Sequence, residues 1–455
     1  MVSRLEPTTG ARIAHLFGHE LRRLASGWAW WGMLLVLAPL VGFGYVEAVR
    51  LYGEASVTAL QSTELARGLT PLDGIAVPTF GAFYLATTLL FPFVAIRALG
   101  QDKESGALKL ILQWPLPTAL TVATKVLAVL VAWTIGLVVP LSALGHWLVS
   151  GGHLGFAETA NLILGHGLYA LTVCGIAFFA AALTETAASA AIVTLAITLG
   201  FWVLDFASGS GPEWLRLAGE LSPTQALKQF ERGLVSIPHV LGLAMLGVGS
   251  TALASLVLSP GLTVAKKVVR LGVGSGALAL GLVLASVVSG SVDLSDDRRN
   301  SFDPADEAVL RQMSKGLEIT LFLSRDDSRA REFQTNVLAK LRRLVPGLKV
   351  VWGDVGNTGP FGAAHDDRYG IVTYDYGGRR VESRSNSARE ILPILHELAS
   401  VTVVASDLPP YRGYPAVIDP TPAGLWFYGG LPVLVLLLGW RWSHGRRLPA
   451  HLRDL

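Results

Sequence analysis

The sequence predicts an α-helical polytopic membrane protein with about eight transmembrane helices and an inserted extracytoplasmic α/β domain. Two observations support this fold class. Of the 455 residues, 51% are hydrophobic and only 16% are charged, a balance that ordinary soluble globular proteins do not have. The charged residues are also unevenly distributed, because the segment from Ser291 to Pro420 contains 36 of the 71.

Long apolar runs give the predicted spans. A bilayer core of about 30 Å needs roughly 20 mainly apolar residues for each helix. Eight such runs occur, near Trp28 to Tyr45, Val77 to Ile96, Val126 to Val149, Leu162 to Leu183, Ala188 to Phe206, Val240 to Leu258, Leu271 to Val288 and Leu425 to Trp440. The basic N-terminal segment leads into a full-length run, so we expect the first span to remain as an anchor.

Basic residues near the span ends predict the orientation, since short cytoplasmic loops are enriched in Lys and Arg. Residues of this kind precede the first span and follow the last, namely Arg4, Arg12, Arg22, Arg23, Arg446, Arg447 and Arg453. We therefore expect both termini in the cytoplasm. Segment 1–27 would be a cytoplasmic amphipathic segment, 261–290 a cytoplasmic linker with the seventh span, and 421–455 the eighth span with a basic tail.

The charged segment 291–420 has the pattern of a folded domain. Strands are expected at Glu318-ITLFLS and Leu348-KVVWGD, with a helix from Arg329 to Leu344 between them. A hairpin around Gly377-Gly378 follows, and then a helix from Ser387 to Ala399 and a strand near Val401 to Val404. This order resembles a thioredoxin-like fold. A Cys-x-x-Cys motif is absent, so no redox chemistry is inferred.

Catalytic motifs are not found. His19-Glu20 and His396-Glu397 lack the second histidine of a zinc-binding helix. Neither a Gly-x-Ser-x-Gly elbow nor a phosphate-binding loop occurs, which makes a membrane hydrolase improbable. Cys174 is alone and is interpreted as a small buried hydrophobe. Gly272-VGSGA is interpreted as helix packing through Gly272 and Gly276. No metal site is predicted.

Charges within the predicted spans are few, and this limits the possible chemistry. His146 and His166 are interpreted as packing residues, and Glu185 and Asp205 are placed at span ends. A proton relay is therefore not expected. The net charge of +3 comes without a basic stripe, so we expect no nucleic-acid partner. The scarcity of intramembrane charge favours an amphiphilic cargo, or mechanical work on an envelope partner.

The segment Gln101-DKESGALKLILQWPLP is too apolar for an ordinary loop and too short to span a bilayer. Ala107, Leu108, Leu110 and Ile111 give it an apolar edge, and lysines flank them. Such a helix can bury its edge in a groove of a partner protein. The alternative is an interfacial helix that lies on lipid without a partner.

Together with its flanking segments, this strip resembles the permease of an ABC-2 type (type V) exporter of the gliding-motility-associated branch. The resemblance covers Arg12 to Leu258, and 28–260 would be the six-span core. The strip 101–117 would be the coupling helix, and its pattern is filled by Glu104, Gly106, Leu108, Leu112, Pro115 and Lys125. Arg12-IAHLFGHELRRLASG, with Glu20, Arg22 and Arg23, would be the elbow helix.

The resemblance implies further partners and a location. ATP and Mg would be bound by a separate dimer of ATPase subunits, and this chain would hold no cofactor and no catalytic residue. A second permease copy would complete a homodimer in the lipid of a bacterial inner membrane. Candidates for the translocation path are span two, span five and an amphipathic segment from Trp214 to Phe230. The residues selected are Trp202, Asp205, Trp214 and Phe230.

The segment from Asp293-LSDDRRNSFDPADEAVLRQM to Glu318 resembles the start of the auxiliary component of these exporters. Here it would be shortened, because the chain returns to the membrane at Leu425. One alternative of a different class remains. The chain would then be a non-transporting scaffold or sensor with an extracytoplasmic ligand-binding domain. A neighbouring gene for an ATPase would favour export, and one for a kinase or regulator would favour sensing.

Overall fold

A computed structural model describes residues 8–208, 215, 219, 222–313, 316–325, 327–353, 368–401 and 411–444. Within these ranges, eight helices are long and apolar enough to cross a membrane. Spans one to eight are Trp28–Ala59, Leu72–Glu104, Thr118–Val149, Phe156–Leu183, Ala187–Phe206, Ile237–Leu258, Val264–Val287 and Thr421–Ser443. The predicted helical architecture with eight candidate membrane-spanning helices is confirmed.

Several helices continue past the apolar runs, because polar side chains at their ends find partners. In span one, Arg50 pairs with Glu47 and Glu54 at 2.5 Å each, one turn before and after it. Span two starts with a π-helical turn, Leu72–Ala76, and continues as Val77–Leu89 and Phe91–Glu104.

Span three and span eight are also divided into segments. Span three consists of Thr118–Gly136 and Val138–Val149. Span eight consists of Thr421–Leu425, the π-helical turn Trp426–Gly430, and Leu431–His444. Pro92 in span two and Pro140 in span three lie in the first turn of a second segment, where a missing N–H is tolerated.

Alternate links between the spans lie on opposite faces of the bundle. One face, here called the N-terminal face, has the N-terminal helix Thr9–Ser26, the strip 101–117 and the links 184–186 and 259–263. The other, here called the domain face, has links 60–71 and 150–155 and the described parts of 207–236 and 288–420. Short helices on the domain face are Thr63–Arg67 and Pro223–Glu231.

Among the described elements, span seven packs mainly against span six, at the edge of the bundle. A Cβ added to Gly274 would touch Leu253, and one added to Gly281 would lie 2.2 Å from the Met245 side chain. A Cβ on Gly272 or Gly276 would meet nothing within 4 Å. Within this chain, span seven therefore packs against span six through Gly274 and Gly281 and not through Gly272 and Gly276.

The segment 288–420 contains the predicted α/β unit. Its four strands are β3 Leu317–Leu321, β4 Lys349–Trp352, β5 Val372–Tyr376 and β6 Arg379–Ser383, in the order β4-β3-β5-β6. β3 and β4 are parallel, and the other two pairs are antiparallel. Gly377 and Gly378 join β5 to β6 with φ of +60° and +83°, as a type I′ turn requires. Small sheets in this region are thereby confirmed.

Three helical segments cover one face of this sheet. They are Pro304–Arg311, Ser328–Leu344 and Ala388–Ala399, the second interrupted by the π-helical turn Gln334–Leu338. Their apolar side chains and those of Leu317, Ile319, Leu321 and Tyr374 form one buried core. Val401 has no regular structure, and the rest of the predicted last strand lies outside the described residues.

The remaining two strands connect the domain to the spans. β1 Leu234–Ser236 precedes span six, and β2 Ser291–Asp293 follows span seven. They pair antiparallel, with Val235 opposite Val292. The entrance to the α/β domain is therefore hydrogen-bonded to the segment that links spans five and six.

Candidate functional site

The strip 101–117 lies on the N-terminal face between spans two and three. Its first four residues belong to span two, which ends at Glu104. Gly106 has a φ of +76°, a conformation that residues with a Cβ rarely adopt. The chain turns there into the five-residue helix Ala107–Ile111. The apolar segment is therefore a short helix held between the ends of two spans.

The apolar side chains of the strip divide between the protein and its surface. Leu108 is only 8% exposed, and Leu112 packs against the main core. Leu110 and Trp114 are 65% and 43% exposed, and these two residues are called the outward edge below. The other predicted strip residues are at least partly accessible, namely Glu104, Gly106, Ile111 and Pro115. One apolar edge of the strip is thus packed against the protein, and the other is exposed at the surface.

Four charged side chains form a buried network beside the strip. The Lys125 side chain has no exposure, and its Nζ atom lies 2.5 Å from Oε1 of Glu20 and 2.5 Å from Oδ2 of Asp102. Nη2 of Arg23 lies 3.0 Å from Oε2 of Glu20, and Nη1 of Arg23 bonds to Oδ1 of Asp102. Each charge has two opposite neighbours, so this four-residue network is neutral as a whole.

The network joins three elements that are distant in sequence. Glu20 and Arg23 belong to the N-terminal helix, Asp102 to the last turn of span two, and Lys125 to the second turn of span three. Because the strip connects Asp102 to Lys125, its two ends are held together and to the N-terminal helix. Arg23 also donates a hydrogen bond to the carbonyl of Ala98 in span two.

Burial makes this network costly to break. When one partner of a buried ion pair is removed, the remaining charge stays desolvated, at a cost of about 3–5 kcal/mol. A displacement of the strip must therefore carry the N-terminal helix and both spans along, or lose this interaction.

Lys103 fixes the end of span two from another side. Its Nζ atom donates to the carbonyl oxygens of Ala181, Ala182 and Thr184 at 2.6, 2.9 and 2.7 Å. Two of these carbonyls are at the C-terminal end of span four, where helices leave acceptors without intrahelical partners. Spans two and four are thereby joined next to the strip.

Sequence reasoning had selected only part of this site. Glu20, Arg22 and Arg23 are predicted together as elbow-helix residues and Lys125 as part of the strip pattern, but the pairing between these groups and the role of Asp102 are not predicted. Arg22 is exposed and lies outside the network. The sequence did contain an indication of this network. Charged residues next to apolar spans are stable there only when they are paired.

Two of the path candidates lie at the domain-face end of span five. Trp202 is 43% exposed. Asp205 accepts a hydrogen bond from the hydroxyl of Thr224 and lies 3.7 Å from Nζ of Lys228. Asp205 therefore connects span five to the helix Pro223–Glu231.

Of the other two, Phe230 is fully buried in a small apolar cluster with Ala226 and Leu243, and Trp214 lies outside the described residues. A Cβ on Gly165 would lie 2.4 Å from Cβ of Phe230, so span four approaches the helix Pro223–Glu231 closely. This helix buries its apolar face against spans four and six instead of lying alone at a surface.

The α/β domain is tied to the spans through residues 293–301. Arg299 pairs with Asp73 at the start of span two and with Asp297 at 3.0 Å, and it donates to Oγ1 of Thr70 at 2.8 Å. Burial opposes the charge of this guanidinium, but its bonds to Asp297 and Asp73 outweigh burial and raise the pKa of Arg299. The guanidinium of Arg299 therefore keeps its positive charge in this contact between the domain and span two.

A second tie involves the neighbouring Asp296. Its backbone N–H donates to Oε2 of Glu158 at 3.0 Å, and its carboxylate lies 2.9 Å from Nε2 of His153. The His153 ring stacks on Tyr414, with centroids 3.6 Å apart. The beginning and the end of segment 288–420 thus meet at the link between spans three and four.

The single titratable residues in and between the spans have different environments. His146 shares a hydrogen bond of 2.8 Å with the hydroxyl of Tyr45, and Cys174 is buried. His166 is buried, and its Nε2 atom lies 3.8 Å from Glu231. Glu185 is exposed in the link between spans four and five. Among the residues with described coordinates, no group of three His, Cys, Asp or Glu is arranged for a metal ion.

Comparisons of this chain with protein-family models, with curated proteins and with solved structures give no match.

Proposed function

We propose that this chain is the transmembrane permease subunit of an ATP-binding cassette exporter of the ABC-2 type. It would couple ATP hydrolysis by a separate ATPase subunit to export, or to mechanical work on an envelope partner. One observation carries the proposal. The strip presents the outward edge, Leu110 and Trp114, on the N-terminal face while its ends are fixed to two spans by the buried network of Glu20, Arg23, Asp102 and Lys125.

The outward edge suits a protein partner. Burying a leucine side chain completely is favourable by about 1.5–3 kcal/mol relative to leaving it in water. Helix-in-groove recognition uses short apolar edges of this kind. Glu104 and Lys109 are exposed beside the edge and would give the partner a polar rim to recognise.

The network of four charges gives the strip a route to the spans. A partner that moves the strip would pull on Asp102 and Lys125 together, because both are bound to Glu20 and Arg23. The N-terminal helix and spans two and three would then move as one unit. Lys103 would extend this unit to span four through its bonds to three carbonyls.

The orientation belongs to the same proposal. Basic residues on the N-terminal face, including Arg12, Lys109, Lys266 and Arg270, favour a cytoplasmic location for it. Segment 291–420 would then be extracytoplasmic at a bacterial inner membrane. Its strand order and directions are those of a thioredoxin-like fold, and it would act as a shortened auxiliary domain that contacts an envelope partner.

A homodimer is also part of the proposal. Span five has few buried residues and exposes Trp202, Val203 and Phe206 on one stretch. In an assembly of two permeases and two ATPases, these residues would meet the second copy. The translocation path would open between the copies, with Asp205 and the helix Pro223–Glu231 at its outer end.

Cysteine crosslinking tests the docking. In a Cys174→Ala background, Leu110→Cys should crosslink to an ATPase subunit that is co-purified in a functional complex. Leu108→Cys is a matched control, since it lies two residues away in the same helix but is buried, and it should react poorly. Failure of Leu110→Cys to crosslink in a functional complex would reject the proposal. A crosslink to a kinase or regulator would favour the scaffold or sensor alternative.

A further inference from the structure

A cavity of about 510 Å³ opens on the domain face between spans six and seven. The helix Pro223–Glu231 closes one side, and Arg342 of the α/β domain lies at its rim. Its volume lies within the range of roughly 300–1,000 Å³ that is usual for small-molecule sites. None of its lining residues belongs to the strip or to the network of four charges.

The cavity has an apolar part and a polar end. Leu246 of span six and Leu282 and Val283 of span seven supply apolar walls. His239 and Ser286 lie at the span ends nearest the domain. Leu246 is seven residues further along span six than His239, so the walls reach about 10 Å into the depth of the membrane. An amphiphile would fit this gradient from polar to apolar.

The polar end is cationic. Arg342 is exposed and forms no ion pair with any residue that the structure describes. Arg343, beside it, donates to the carbonyl of Asn300, and Lys340 donates to the carbonyl of Ser301 at 3.0 Å. Asp293 attracts the charges of both neighbours, whereas Arg342 keeps its positive charge without a described ion pair. Basic pockets beside membrane helices are suited to anionic lipid head groups.

His239 adds a second observation. Its Nδ1 atom is inaccessible to solvent and has no hydrogen-bond partner among the described residues. Buried polar atoms are paired in most proteins, and His239 is one of the residues that line this cavity. Because Nδ1 is closed to solvent, a glycerol hydroxyl or a phosphate oxygen in the cavity would pair with the other ring nitrogen of His239, Nε2.

We propose that the cavity binds an anionic phospholipid from the leaflet on the domain face. One acyl chain lies between spans six and seven, against Leu246 and Val283. The phosphate group lies at Arg342, within reach of His239. This binding requires only a multi-pass membrane protein and does not rest on the proposed exporter function. Its consequence is a lipid-dependent contact between the α/β domain and the spans.

Photolabelling of the full chain in phosphatidylcholine nanodiscs tests the site. The probe is phosphatidylglycerol with a diazirine on one acyl chain, and phosphatidylcholine with the same label serves for comparison. The phosphatidylglycerol probe should label peptides that contain residues 238–246 and 282–286, in preference to the phosphatidylcholine probe. Arg342→Glu should lower this labelling about tenfold, as for the loss of one strong ion pair.

Matched variants distinguish labelling in the cavity from labelling that any change of charge or size would alter. Arg389→Glu makes the same change of charge at an exposed arginine outside the cavity and should leave labelling unchanged. Leu246→Trp should fill the cavity and reduce labelling, whereas Leu241→Trp, on the same span but not in the lining, should not. Thermal unfolding verifies that each variant is folded. Leu246→Trp tests the acyl position even if Arg342→Glu unfolds the domain.

Three results would overturn the proposal. Equal labelling by the two probes would indicate bulk lipid, and so would labelling that neither Arg342→Glu nor Leu246→Trp reduces. Displacement of the probe by oleate, but not by unlabelled phosphatidylglycerol, would assign the cavity to free acyl anions instead of phospholipid.

Discussion

The ammonium group of Lys125 lies 2.5 Å from a carboxylate oxygen of Asp102; Asp102 is at the start of the strip 101–117, and Lys125 follows its end in span three. The loop that leaves span two at Glu104 and enters span three at Thr118 is therefore closed at its base by a buried ion pair. Glu20 and Arg23 bind the same two residues, so the N-terminal helix is part of this closure. The strip is a fixed protrusion whose position is set by three elements.

Replacing Lys125 should destabilise the protein strongly. Lys125→Met leaves Glu20 and Asp102 buried with only Arg23 to compensate them, and we expect the free energy of unfolding to fall by about 3–5 kcal/mol. Chemical unfolding of the purified protein in detergent measures this. Lys109→Met, at an exposed position of the strip, serves as the control and should have little effect. Equal losses in the two variants would contradict a structural role of the network.

Glu20→Gln should partly offset the loss of stability that Lys125→Met causes. In the double variant Glu20→Gln with Lys125→Met, Arg23 and Asp102 remain as a neutral pair. The double variant should therefore lose less stability than the sum of the two single variants, since residues in one network are not additive. A double-mutant cycle with the same unfolding assay measures the interaction free energy between the two positions. Strict additivity would mean that Lys125 and Glu20 do not interact.

A charge on the outward edge should weaken binding of the ATPase without unfolding the chain. Leu110→Asp removes an apolar contact of about 1.5–3 kcal/mol, so affinity for the ATPase subunit should fall at least tenfold. Titration of nanodisc-embedded protein with the purified ATPase measures the affinity. The unfolding temperature should not change, because Leu110 is exposed. Leu108→Asp should lower it. An unaltered affinity in Leu110→Asp would argue against docking at this edge.

Gly413 should be required for the backbone contact between the segment before span eight and the link before span two. Its φ is +73°, and an added Cβ would lie 1.6 Å from the carbonyl oxygen of Ala66. Gly413→Ala must push the backbone away and weaken the bond from the Tyr414 N–H to the Leu69 carbonyl, now 3.2 Å. We expect hydrogen exchange at the Tyr414 amide to become at least tenfold faster.

The control for Gly413→Ala has the same backbone strain without the clash. Gly378 has a φ of +83°, and an added Cβ there would meet nothing within 4 Å. Gly378→Ala should therefore leave exchange at Tyr414 unchanged. If both variants have the same effect on that amide, the close approach to Ala66 is not what matters.

Lys340 should make stability depend on pH above neutrality. Burial lowers the pKa of Lys340 from 10.5 to about 8, with smaller contributions from Asp293, which opposes the shift, and from Arg343. Between about pH 8 and 10.5 the unfolded chain binds one more proton than the folded protein. Stability should therefore rise with pH in this window, by at most about 1.4 kcal/mol per unit.

Comparison of the wild type with Lys340→Met isolates this contribution. Unfolding of the full chain from pH 7.5 to 10.5 should show the wild type gaining stability relative to Lys340→Met, because Met has no proton to lose. Parallel curves for the two proteins would mean that Lys340 is not desolvated in the fold.

Much of the architecture could be predicted because it depends on local patterns. Runs of about 20 apolar residues predicted the eight spans. Gly377-Gly378 predicted the hairpin, since a tight primed turn requires two residues with positive φ. The helix predicted from Arg329 to Leu344 is present as Ser328–Leu344. The contact within this chain uses Gly274 and Gly281 instead of Gly272 and Gly276 for a simple reason. The spacing of small residues shows that a close helix contact is possible, but not which face makes it.

The amino-acid sequence by itself determined which segments form helices long and apolar enough to cross a membrane, because the backbone hydrogen bonds of a helix are satisfied within its own segment. It also determined that Leu108 and Leu110 belong to a short apolar helix. Only the tertiary structure decided that Leu108 is an anchor and Leu110 a surface residue, and that Asp102 completes a network with Glu20, Arg23 and Lys125. These relationships join residues up to 105 positions apart, and such pairs form only when the spans pack.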